Sequence, residues 1–89
     1  MKSKTVPAFH ASLALLPPRV RQQVRAAYKR FVEDPWQPSL KFKRVHPTIP
    51  LFSVRIGRGY RALGIREADK IIWFWVGSHA EYDREITEW

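Results

Sequence analysis

The spacing of apolar residues changes character near the middle of the chain. Phe9, Leu13 and Leu16 recur at intervals of three and four, which puts their side chains on one helical face and predicts a first helix opening at Pro7. Pro17 and Pro18 stop it and start the next, because proline lacks an N–H and is tolerated in a first helical turn. From Pro18 to about Glu33, Val20, Val24, Ala27 or Tyr28, and Phe31 line one face, while Arg19, Arg21, Arg25, Lys29 and Arg30 take the other. The turn sequence DPWQP (34–38) ends this second helix.

Beyond it the period falls to two, the signature of strands. SLKFKRV (39–45) predicts a short strand and HPTIP (46–50) a loop. LFSVRI (51–56) alternates, with Phe52, Val54 and Ile56 on one face and Ser53 and Arg55 on the other. GRG (57–59) is a tight connection to YRALGIR (60–66), and EAD (67–69) joins that strand to KIIWFWV (70–76). In the polar segment that follows, Tyr82, Ile86 and Trp89 are spaced for one helical face, and a very short strand is expected around Lys4–Val6. The predicted class is α+β: two N-terminal helices on one face of a small antiparallel meander sheet, then a C-terminal helical tail, all in one domain spanning 1–89.

The hairpin register carries chemistry. A three-residue GRG loop sets Ile56 opposite Tyr60 and therefore Arg55 opposite Arg61, on one face. Their Cβ atoms would lie about 5 Å apart, where like charges are destabilising. Such a pair makes sense around an anion, because guanidinium is planar, always charged and grips phosphate with two N–H groups; the alternatives are a register slipped by one residue or a pair splayed into solvent. Lys41 and Lys43, two apart on one predicted strand, share a face and join that surface. A turn at Ala68–Asp69 sets Trp73 and Trp75 across from Gly64 and Ala62, a large-to-small match that reads as core, with base stacking on the indoles as the alternative.

Charge sharpens this picture. The net charge is +8, but it is distributed unevenly. Residues 1–66 hold 14 Lys and Arg against only Glu33 and Asp34, whereas 67–89 hold Lys70 and Arg84 against six acids. Ser39–Arg66 contains no acid at all, so Arg44 and Arg58 join Lys41 and Lys43 as candidate polyanion contacts. The absence of cysteine removes disulfides and thiolate metal sites and suits a cytoplasmic setting. AFHASLALL is too short and too interrupted for a signal peptide, and no apolar run reaches the ~20 residues of a membrane span. His10, His46 and His79 are far apart in sequence, so no metal site is expected. His79 and Tyr82, just past the last strand, are candidate proton-transfer groups or plain surface and turn residues.

These segments together resemble the RelE/ParE superfamily of type II toxin–antitoxin toxins, almost end to end. AFHASLALLPPRVRQQVRAAYKRF is similar to its helical hairpin, and DPWQPSLKFKRV to the entry to its sheet. LFSVRIGRGYRALGI carries the S-x-R-[IV]-x-x-x-[YH]-R pattern, and WFWVGSHAEYD the G-x-H-x-x-Y ending. The nuclease branch implies an mRNA endonuclease acting in the ribosomal A site without a metal or other cofactor. There the ribose 2′-hydroxyl attacks the adjacent phosphate, leaving a 2′,3′-cyclic phosphate and a 5′-hydroxyl. By this resemblance Arg61 stabilises the transition-state phosphate and Arg55 binds it. His79 is the acid or base, and Tyr82 stacks on a base or assists proton transfer. Lys41 and Lys43 correspond to lysines that contact RNA. The chain departs from members that use a mid-chain Glu base, since Ser39–Arg66 has none.

Two other functions fit the same surface. A ParE-like inhibitor of DNA gyrase shares the fold and needs no nuclease chemistry. A non-catalytic RNA-binding module needs only the basic surface. The family also implies an antitoxin partner, expected to be acidic, because charge complementarity speeds association with a cationic groove.

Overall fold

The computed structural model describes residues 1–89. Strand β1 (Lys2–Thr5) leads into α1 (Pro7–Ala14) and α2 (Pro18–Glu33). Then come β2 (Lys43–Arg44), β3 (Leu51–Ile56), β4 (Tyr60–Glu67), β5 (Lys70–Ser78) and α3 (His79–Thr87). The strands form one sheet in the order β1-β5-β4-β3-β2. The expected meander accounts for β2 to β5, all antiparallel neighbours. The early strand extends it by lying parallel to β5, from Lys2 beside Lys70 to Thr5 beside Trp73, so the whole sheet is mixed.

Both helical predictions hold because they rest on burial. Val20, Val24, Ala27 and Phe31 of α2, with Phe9 of α1, pack on Val54, Ile56, Ala62, Ile71, Trp73 and Val76. Ala27 takes the core position and Tyr28 stays at the surface. The Ser12 hydroxyl accepts the Val76 N–H (3.1 Å), fastening α1 to β5. On the opposite face of the sheet, Tyr82 of α3 packs with Leu51 and Leu63 in a second, smaller cluster. The sheet is thus covered by α1 and α2 on one side and partly by α3 on the other.

Two stretches depart from simple alternation. The segment expected as one strand from Ser39 contains a 3-10 turn at Pro38–Leu40 and left-handed Lys41 (φ 47°), leaving only Lys43–Arg44 in β2. Leu40 within that turn and Phe42 just after it are both buried in the helix-side core. In β5 the pairs Leu63–Trp75 and Gly64–Trp73 leave Phe74 as a bulge, so Ala62 faces Val76 instead of Trp75. The extra residue sends the two indoles to opposite faces. Trp73 enters the helix-side core against Gly64, where an added Cβ would lie 2.8 Å from its Cε3. Trp75 joins the Leu51–Leu63–Tyr82 cluster and lies over Gly77, where an added Cβ would lie 2.5 Å from its Cζ2.

Candidate functional site

Arg55 and Arg61 are directly opposed across β3 and β4, the register read from the sequence. Their side chains point to different partners. Arg55 Nε donates to the Gly57 carbonyl (2.9 Å), in the turn whose positive φ of 56° suits glycine. Arg61 Nη1 donates to the buried Ser53 hydroxyl (3.4 Å). The Arg61 guanidinium also lies over the Tyr82 ring, 5.4 Å from its centroid, a cation–π contact. Gly77 is the β5 neighbour of Arg61, and the space its missing side chain leaves is taken by the Trp75 indole. The two arginines therefore share one face of the sheet at opposed positions, and neither is in an ion pair.

Helix α3 supplies the remaining chemistry. Its first residue, His79, donates its backbone N–H to the Gly59 carbonyl (2.8 Å), which pins the helix start to the β3–β4 turn that also carries Arg58. A capping box reinforces this end: the Ser78 hydroxyl accepts the Glu81 N–H (3.2 Å), and Glu81 Oε1 accepts the Ser78 N–H (3.1 Å) and hydroxyl (2.8 Å). Those Ser78 donors hold the Glu81 carboxyl below its usual range. The His79 ring is exposed and meets Tyr82 edge-on at 5.7 Å. Its Nδ1 lies 3.4 Å from Asp83 Oδ2, one helical turn on, which leaves Nε2 turned to other partners.

The catalytic candidates Arg55, Arg61, His79 and Tyr82 thus converge at one end of the face that α3 partly covers. Tyr82 is only 6% exposed, so it offers a nucleobase almost no surface and serves as the platform of Arg61. The RNA-contact candidates divide. Lys43 pairs with Ser53 and shares the arginine face, and Arg58 sits exposed at the hairpin tip. Arg44 pairs with Phe52 and belongs to the other face, and Lys41 lies in the left-handed loop before β2. No group of three or more His, Asp or Glu side chains converges anywhere in the chain.

A family model described as a ParE-like toxin domain matches residues 18–84, from the start of α2 into α3. The chain belongs to the ParE-like toxin domain family. That places it in the RelE/ParE superfamily to which its motifs are similar. Its fold is also that of solved toxins. RelE in the RelB–RelE antitoxin–toxin complex from Methanococcus jannaschii has a TM-score of 0.72 at 18% identity, with 90% of this chain and 95% of that chain covered. YafQ from E. coli has a TM-score of 0.72 at 8% identity, covering 91% and 96%. The isolated E. coli RelE toxin has a TM-score of 0.62 at 16% identity, covering 98% and 96%. No curated protein matches the sequence significantly.

This ParE-like toxin domain also uses residues that periodicity passes over. Ser53 is fully buried beneath Arg61, and its only signal is a small polar residue at an inward strand position. Gly77 looks like a simple strand end but makes room for Trp75. His46 accepts the Thr48 and Ile49 N–H groups at Nδ1 (3.2 and 3.0 Å), so its Nε2–H donates to the Trp89 carbonyl (2.9 Å) and fastens the far end of α3. Nothing in the sequence pairs positions 43 residues apart.

Proposed function

We propose that this ParE-like toxin is an mRNA endoribonuclease that blocks translation, cleaving by metal-independent attack of a ribose 2′-hydroxyl on the adjacent phosphate. The carrying observation is Arg55 opposite Arg61 within the acid-free stretch Ser39–Arg66, with exposed His79 on the helix that follows. Two opposed guanidiniums are unfavourable alone and favourable around a phosphate whose charge grows in the transition state. Arg61, held by Ser53 and Tyr82, stabilises the phosphorane; Arg55 binds the same phosphate; His79 is the proton-transfer group. Tyr82 orients Arg61. Lys43 and Arg58 hold flanking phosphates, with Lys41 in the loop before β2 and Arg44 on the other face contacting the RNA further from the cleavage point.

The ribosomal A site is the setting the nuclease branch implies, and an acidic antitoxin is the partner. The antitoxin reading is supported by the RelB–RelE complexes among the chains of similar fold. A gyrase-inhibiting toxin is the second reading, favoured by the ParE-like character of the matched family.

The test is cleavage of a defined mRNA by the parent and by Arg61→Ala, on naked RNA in EDTA and on magnesium-containing ribosomes. Cleavage by the parent, with 2′,3′-cyclic phosphate ends that Arg61→Ala fails to produce, is expected. No cleavage in either arm, together with loss of gyrase supercoiling, would transfer the assignment to the second reading.

A further inference from the structure

Three of the four tryptophans are held against other parts of the fold: Trp73 in the helix-side core, Trp75 over Gly77, and Trp89 against Phe74 (5.3 Å) and His46. Trp36 is different. It lies between α2 and β2 and is 57% exposed, yet it is held firmly. Its backbone N–H donates to Asp34 Oδ1 (3.0 Å), it is flanked by Pro35, and Gln37 Nε2 ties the same loop to the Arg30 carbonyl (2.9 Å). The indole rests on Phe42 at 5.0 Å, and the Arg66 guanidinium lies between it and Phe52, 5.6 and 5.5 Å from the two ring centroids. A large aromatic fixed outward beside a guanidinium loses little entropy on binding a flat, anionic ligand.

This platform connects to the arginine pair by an unbroken series of contacts across the narrow sheet edge. Arg61 reaches Ser53; Ser53 pairs with Lys43; Arg44 follows on the same strand and faces the other way; Arg44 pairs with Phe52; Phe52 carries Arg66 and, through it, Trp36. β2 is two residues long, so crossing this edge means passing one lysine and one arginine. Arg44 and Arg66 each use Nε on a backbone carbonyl, and neither forms an ion pair.

We propose that Trp36, with Arg66 and Arg44, is a second nucleotide-binding subsite, where a single-stranded polynucleotide that crosses the β2 edge stacks one base on the indole and lays its phosphates on the two arginines. The subsite rests on the polynucleotide-binding part of the function proposed above and is separate from the cleavage step. Stacking on the exposed part of an aromatic ring is indifferent to base identity, so the subsite lengthens the footprint without choosing a sequence.

The probes are fluorescein-labelled 2′-O-methyl oligonucleotides, which lack the attacking hydroxyl. One has about three nucleotides, enough for the arginine pair, and one about twelve, within the range that single-strand sites span. Trp36→Ala is expected to weaken the long probe about tenfold and leave the short one unchanged, and Trp36→Phe is expected to recover most of the loss. Arg66→Gln is expected to weaken the long probe and flatten its salt dependence. Unchanged long-probe affinity in a Trp36→Ala protein that melts cooperatively overturns the subsite, as does equal weakening of both probes. So does loss of antitoxin binding in Trp36→Ala with both probes unaffected, which makes the platform a protein contact. A parent that binds neither probe overturns the polynucleotide reading itself, whereas a parent that binds both but cleaves no all-ribose RNA leaves the subsite in place and removes the nuclease.

Discussion

Arg61 stands in a position that stability alone does not explain. It opposes another arginine, and its hydrogen bond to Ser53 is long. Its cation–π contact with Tyr82 contributes about 0.5–1 kcal/mol, which repulsion from Arg55 offsets. Arg61→Ala should therefore leave the melting temperature almost unchanged while costing about 2–4 kcal/mol of transition-state stabilisation, measured as single-turnover cleavage. A variant that melts far below the parent would show that Arg61 is structural. Two other positions test the fold residue by residue. Ala68 sits at φ 52°, where a Cβ is crowded, so Ala68→Gly should raise stability by about 0.5–1 kcal/mol in urea unfolding. Gly64→Ala should lower it by about 1–3 kcal/mol, because the new Cβ meets Trp73 at 2.8 Å and the Ile72 carbonyl at 3.0 Å.

At the scale of elements, α3 decides whether the site exists. Its start is fixed by the Ser78–Glu81 capping box and by the His79–Gly59 backbone bond, and its end by His46 and Phe74. Ser78→Ala removes the N-cap and should cost about 1 kcal/mol. It should also reduce cleavage with Arg61 intact, because His79 would be held at the hairpin tip by its backbone bond to Gly59 alone. Glu81 gives this end a pH dependence. Its folded value lies below the ordinary 4.5, so its stabilisation is complete above that value and is lost as pH falls through the lowered folded one. Glu81→Gln should abolish that acid-side loss in a melting series. The helices and the β3–β4 register were legible because each follows from one local rule: helical spacing of Val20, Val24, Ala27 and Phe31, and a three-residue loop at 57–59. The β5 bulge was not, because Trp73 and Trp75 alternate in sequence as though they shared a face. Only the fit of each indole over a different glycine shows that they do not. The same holds for Lys41 and Lys43, which two-residue spacing joins and a left-handed Lys41 separates.

Across the whole molecule, the governing fact is that no Lys or Arg side chain is in an ion pair. The only close pairs join the N-terminus to Asp69 and His79 to Asp83. α2 adds Arg19, Arg25 and Lys29 to the surface on the side away from Arg61, and no helix of the chain is long and apolar enough to cross a membrane. Binding to single-stranded RNA should weaken steeply with salt, and Lys43→Gln should make the log–log slope shallower by about 0.7. The sequence revealed the charge imbalance directly, but not that the cations form a path around the β2 edge, since Arg66 and Trp36 meet only through the folded sheet. The central claim is that the charges gathered by Arg55 and Arg61 serve attack by a 2′-hydroxyl. The most direct measurement replaces the nucleotide 5′ to the mapped cleavage bond with its 2′-deoxy form, in an mRNA presented to the parent toxin on ribosomes. Loss of cleavage at that bond alone, with neighbouring bonds still cut, is the predicted result; undiminished cleavage at the 2′-deoxy position would contradict it.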